Sequence, residues 1–393
     1  MGTQHNMLPF VHVGLPFVHR GIEKIKYSVI LSTYHGKQIK LSEIVRQFRR
    51  NEIMKHIRYI VMVYVMVICM VFCSGCTSNH NSSSDLNTDS DSELSSIISS
   101  DDELIKKSEG TIMMGFQPAD KYEYTYSGSE MNVPLYVGTM DNSENIEVAT
   151  MLFLNGEVQP YSYTLNGKVS EKQMVHYFTL GPNETINFTA LVTPISGEKG
   201  DVIGMQFATV FKSDYLPEQD GNTSFGNCGK INSTICIPVN MQASGINETK
   251  ADIVKTTITD IPEETMAMLE GLVTNDTDNP LDYSSYLKIK TEDNRNCLYS
   301  ENGKLNLTLQ IYGGKEVAKK ITFFINNEPV KVNNCDYCEI NTTTDKMTVF
   351  DVCIDVSEYK ELCSFYAVAA TSGEDYLIQD DTTQSERCLL INK

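Results

Sequence analysis

Met151-Leu152-Phe153-Leu154-Asn155-Gly156-Glu157-Val158 and, well downstream, Ile321-Thr322-Phe323-Phe324-Ile325-Asn326-Asn327-Glu328-Pro329 follow one plan: an apolar run, a two-residue corner, then an acid. Asparagine and glycine accept the positive φ of a type I′ hairpin, so Asn155-Gly156, like Asn166-Gly167 after it, reads as a strand reversal. A plan that occurs twice predicts a duplicated β architecture. Further matches flank it in the same order. Tyr126-Ser127 and the strand up to Gly138 parallel Tyr299-Ser300 and the strand up to Gly313. Phe188-Thr189-Ala190-Leu191-Val192 parallels Phe365-Tyr366-Ala367-Val368-Ala369, and Ser196-Gly197-Glu198 parallels Ser372-Gly373-Glu374. At the close, Cys236-Ile237-Pro238-Val239 parallels Cys388-Leu389-Leu390-Ile391.

The hydropathy period around these matches is two. Leu305, Leu307, Leu309 and Ile311 alternate with Asn306, Thr308 and Gln310, and Phe350, Val352, Ile354 and Val356 alternate with Asp351, Cys353 and Asp355. Ile186, Phe188, Ala190 and Val192, and Ile203, Met205, Phe207, Thr209 and Phe211, repeat the pattern. Side chains two apart share a strand face, so each run predicts one buried and one wetter face. Helical periodicity is confined to one short stretch, 263–272. The expectation is an all-β chain of two tandem antiparallel β-sandwich domains, 109–244 and 265–393, the second a repeat of the first, joined by a connector at 245–264. In strand number and length these resemble the immunoglobulin-like modules common on bacterial surfaces, without the buried tryptophan of antibody domains, since the chain contains no Trp.

Upstream, residues 54–76 place Lys55, His56 and Arg58 before an uncharged run at 59–72 and close with Cys73-Ser74-Gly75-Cys76. A basic start, an apolar middle and small closing residues form an export signal. The run falls short of the about 20 residues that a spanning helix needs. Ser74, Gly75 and Cys76 resemble the lipobox of bacterial lipoproteins, with Cys73 where an aliphatic residue is usual. The resemblance implies cleavage before Cys76, a diacylglycerol thioether on its sulfur, and retention on the extracytoplasmic face of the cell membrane; an uncleaved anchor is the other reading. Residues 1–53, with the tandem Leu8-Pro9-Phe10-Val11-His12 and Leu15-Pro16-Phe17-Val18-His19, read as an over-extended N-terminus or a basic cytoplasmic arm. Residues 77–108, rich in Ser, Asn and Asp, cannot bury enough apolar surface to offset chain entropy and read as a disordered tether.

Of 32 basic and 51 acidic side chains, residues 1–75 hold 10 and 3, so everything after them is strongly acidic. Such a body repels nucleic acid. Cys69, Cys73 and Cys76 fall in the signal, leaving Cys228, Cys236, Cys297, Cys335, Cys338, Cys353, Cys363 and Cys388, an even set of disulfide candidates in an exported chain. Cys335-x-x-Cys338 also invites a zinc or redox reading, but zinc needs further ligands, for which only Cys353 and Cys363 offer themselves. Beyond Cys76 the only histidines are His80 and His176, which confines any histidine-dependent nucleophile to His176. Tyr122, Tyr124 and Tyr126 alternate along one stretch and are candidates for a ligand face, since aligned aromatics stack on sugars or anchor a protein partner; covering a core edge is the alternative. These readings predict a lipid-anchored surface protein acting as a non-enzymatic binding or envelope-interaction module toward a protein or glycan, with no cofactor and no metal. The alternatives are an accessory subunit of a membrane transporter or export complex, and an extracellular hydrolase working through paired carboxylates.

Overall fold

A computed structural model of the 393-residue chain describes residues 110–118, 121–219, 223–246, 249–270, 281, 284–291 and 296–392. The arm at 1–53, the lipobox-like segment at 54–76 and the tether at 77–108 lie outside the described residues.

The first half folds as two facing sheets. One runs in the order β1 (Thr111–Phe116), β3 (Met131–Met140), β9 (Thr185–Val192), β6 (Tyr161–Leu165) and β7 (Lys168–Val169). The other runs β2 (Tyr124–Tyr126), β12 (Ile237–Met241), β10 (Val202–Phe211), β4 (Ile146–Leu154) and β5 (Glu157–Gln159), with β8 (Val175–Leu180) also on β4 and β11 (Ile231–Ser233) on β10. Val133, Leu135 and Val137 of β3 meet Leu152, Leu154, Phe207 and Val239 of the facing sheet in one core. The order β1-β3-β9-β6 against β12-β10-β4 is the A-B-E-D and G-F-C arrangement of an immunoglobulin-like sandwich.

The second half repeats it. β15 (Ser285–Ile289), β17 (Lys304–Gly313) and β21 (Met347–Asp355) supply A, B and E, while β24 (Cys388–Ile391), β22 (Leu362–Thr371) and β18 (Ala318–Ile325) supply G, F and C. β16 (Cys297–Tyr299) runs parallel to β24, as β2 does to β12. β19 (Glu328–Val330) and β20 (Tyr337–Asn341) both pair with β18, and β23 (Thr382–Gln384) pairs with β22. Within 245–264, β13 (Ala251–Ile253) pairs parallel with β20, and β14 (Thr256–Thr259) pairs with β21 in the place that D occupies in the first half. A short α-helix, α1 (Glu263–Glu270), opens with Glu263 and Glu264, favourable beside the positive helix start, and buries Leu269 against Leu281, Tyr312 and Met347. Among the described residues no helix is long and apolar enough to cross a membrane.

Two expectations need correction. The match of Phe188-Thr189-Ala190-Leu191-Val192 to Phe365-Tyr366-Ala367-Val368-Ala369 joins β9, an E strand, to β22, an F strand. The counterpart of β22 is β10, since each lies between a C and a G strand. Short alternating runs of aromatic, alanine and valine carry no record of their neighbours. The second correction concerns faces. β9, β17 and β21 do alternate between buried and wetter positions, but β10 and β22 are buried at nine consecutive positions, and β4 and β18 at seven. These four strands are covered on both sides, the first by their own core and the second by each other.

Candidate functional site

The sequence candidates separate once placed. Tyr122 is 65% exposed, whereas Tyr124 and Tyr126 are each 4% exposed and belong to the first core. The proposed three-tyrosine ligand face is therefore corrected to one exposed tyrosine and two core residues. The sheet pleat sends Tyr124 and Tyr126 inward together, and the apolar core beneath them claims both. His176 is buried too: its Nε2 donates to the carbonyl of Tyr161 at 2.7 Å, and its ring packs edge-on against Tyr161 and Tyr163. Burial lowers its pKa, which favours the neutral ring in this packed position.

Cys236, Cys335, Cys338, Cys353, Cys363 and Cys388 stand as thiols. Cys338, Cys363 and Cys388 face the second core, while Cys297 packs on the opposite side of the same sheet with Leu389 and Ile391. Burial, aided by nearby acids, pushes the Cys236, Cys338 and Cys388 thiols up to about 12. Cys338, the second cysteine of the C-x-x-C, is thereby held as a protonated thiol. Among the described residues no group of three or more His, Cys, Asp or Glu is gathered to hold a metal ion.

Sequence reasoning missed the seam between the sandwiches. Ala149, Met151, Phe153, Val158, Val175, Ala208 and Val210 of the first pack against Phe324, Tyr366, Val368 and Ala370 of the second as one buried cluster. Two sets of its polar contacts are reciprocal. The β4–β5 corner crosses to the second sandwich, where Asn155 Oδ1 accepts the Gly373 N–H at 2.8 Å. The β18–β19 corner crosses the other way, where Asn327 Nδ2 donates to the Ser213 carbonyl at 2.9 Å. The acid after each corner does the same: Glu157 pairs with Lys320, and Glu328 accepts the Tyr177 hydroxyl at 2.9 Å. Both corners have positive φ at both residues, 55° and 77° at Asn155 and Gly156, 52° and 68° at Asn326 and Asn327, as a type I′ turn requires. The repeated motif is thus the clasp, and reciprocity of this kind is that of an isologous dimer interface.

Arg387 sits at one end of the seam, 6% exposed, donating from Nη2 to Asn327 Oδ1 and lying over the rings of Tyr366 and Phe225 at 4.3 and 5.6 Å. Its Nε and Nη1 find no hydrogen-bond partner among the described residues. Aromatic faces from both sandwiches stabilise this cation where a carboxylate ordinarily would. Three carboxylates gather beside the seam: Glu157 pairs with Lys320, Glu328 accepts from the Tyr177 hydroxyl, and Asp336 accepts the Lys250 N–H at 2.9 Å.

No protein-family model matches the sequence, and no curated protein matches it. Among solved structures, the chain is similar to a complex of the CsuC chaperone with the CsuE tip adhesion subunit from Acinetobacter baumannii (9% identity, 70% of this chain and 98% of that one, TM-score 0.17). It is similar to the E. coli chaperone DraB (11% identity, 72% and 97%, TM-score 0.19) and to the collagen adhesin of S. aureus (9% identity, 73% and 94%, TM-score 0.16). At TM-scores this low the overlaps carry no weight; the strand order above is what makes the fold immunoglobulin-like.

Proposed function

We propose that the chain is a non-enzymatic binding module of the cell envelope, held on the extracytoplasmic face of the membrane through a lipid on Cys76. The observation that supports this reading is the seam. Clasping the C and F strands of both sandwiches together fixes one rigid body whose A-B-E sheets and loops point outward, an arrangement suited to presenting a surface to a protein or glycan. Buried thiols with raised pKa and a neutral, packed His176 belong to a scaffold rather than to a reaction centre.

Expression of the full chain in a bacterial host tests both halves of the proposal. A palmitate analogue should label the protein, Cys76→Ser should abolish the label, and protease added to intact cells should degrade the chain. An unlabelled, protease-protected chain would remove the anchor from the proposal. Amine-reactive cross-linking of intact cells should give discrete adducts above the mass of the chain, and a chain that stays alone at every dose would remove the binding role.

A further inference from the structure

We propose that the seam holds a ligand site beside Glu157 for a small apolar molecule carrying one hydrogen-bond-donating head, with an ammonium preferred. A cavity of about 270 Å³ opens between the sandwiches, walled by Val158 and Met174 from the first and Thr322, Val330 and Tyr337 from the second. That is close to the lower end of small-molecule pockets, about 300 Å³, and cavities between domains are a common place for them.

Its one buried charge is unfinished. Glu157 lines the cavity and is 2% exposed; Oε1 takes the Lys320 ammonium, but Oε2 has no hydrogen-bond partner among the described residues. Leaving a buried acceptor unmade costs about 1–3 kcal/mol, more for a charged group, so a donor entering here would recover that loss. The Lys320 Nζ is bonded to Oε1 and lies 4.8 Å from the centre of the Tyr337 ring, which leaves Oε2 to a second donor. Glu328 and Asp336 line the same cavity, Glu328 Oε1 accepting from the Tyr177 hydroxyl and Asp336 Oδ2 from the Lys250 N–H, and Lys331 reaches Asp336 at 3.6 Å. Three acids therefore meet two lysines, and the imbalance favours a positive head. The larger cavity at Arg387 does not compete: there the guanidinium lies flat against Gly229, so close that a Cβ at that position would overlap it.

This site deepens the reading of the chain as a binding module, yet its test leaves the anchor untouched. Calorimetry on the purified full chain would use 2-phenylethylammonium and, with a similar body and a reversed head, 3-phenylpropionate. The ammonium should bind one per chain and the carboxylate at least about tenfold more weakly. Met174→Trp fills the cavity from its half-buried rim without touching a charge, and should weaken the ammonium by about tenfold or more with an unchanged unfolding midpoint. Because Glu157→Gln strands Lys320 and can compromise folding, the double variant Glu157→Gln/Lys320→Met serves instead, and should erase the preference between heads. Equal affinity for the two heads, no heat from either, or full affinity in Met174→Trp would overturn the site while leaving palmitate labelling of Cys76 to stand or fall separately.

Discussion

Tyr124 shows how a residue can be placed correctly on a strand and misjudged on its face. Alternation at 122, 124 and 126 is legible, but a period of two does not say which side faces the core. The hydroxyl of Tyr124 has gone inward with the ring and has no partner among the described residues, and burial pushes its pKa up to about 12. Removing it should therefore help: Tyr124→Phe is expected to raise stability by about 1 kcal/mol, seen as a higher urea midpoint at unchanged slope. A lower midpoint would mean that the hydroxyl has a partner after all. His176 carries a pH signature of definite sign. Burial holds its folded pKa below the unfolded value of about 6.5. Between those two values the unfolded chain binds more protons, so stability is complete above about pH 6.5 and declines as pH falls toward the folded pKa. His176→Gln, which does not titrate, should lose that part of the slope; identical slopes in urea titrations from pH 7.5 to pH 5 would rule the assignment out.

Hairpin corners were the most legible elements, because their chemistry is local. Asn155-Gly156 and Asn166-Gly167 both have the positive φ pair that their residues announce. What the sequence does not announce is that one corner is solvated and the other crosses the seam. A Cβ at Gly167 would meet nothing within 4 Å, whereas one at Gly156 would come within 3.1 Å of the carbonyl oxygens of both Ala370 and Thr371. Gly167→Ala should therefore cost only the left-handed backbone penalty of about 1–2 kcal/mol. Gly156→Ala should cost clearly more, the excess measuring the clasp, and equal costs in denaturant melts would show that the corner does not bear on the second sandwich. The doubly covered strands β4, β10 and β22 had also left a trace in their largely apolar runs, the pattern of strands buried on both faces, whereas β18 hides it behind the buried Lys319 and Lys320. Alternation within those runs masked it, since every second residue of a continuous run also alternates.

Duplication of the domain and burial of the seam turn out to be one fact at the level of the whole molecule. Each copy carries an apolar C-F face that would be a liability in a free sandwich, and the other copy covers it, corner for corner and acid for acid. Two copies that each contribute the same motif to the same contact behave as an isologous dimer fused into one chain. A half on its own should then behave as a dimer that has lost its partner. Residues 109–244 expressed alone would expose Met151, Phe153, Val158, Val175 and Val210 together, a patch of the kind that drives association. That fragment is expected to aggregate or to pair with itself, and co-expression with residues 245–393 should return a soluble one-to-one complex. Size-exclusion chromatography with light scattering separates these outcomes. A soluble, monomeric 109–244 fragment would mean that the seam is incidental contact between independent modules, and the rigid presentation drawn from it would then have no basis.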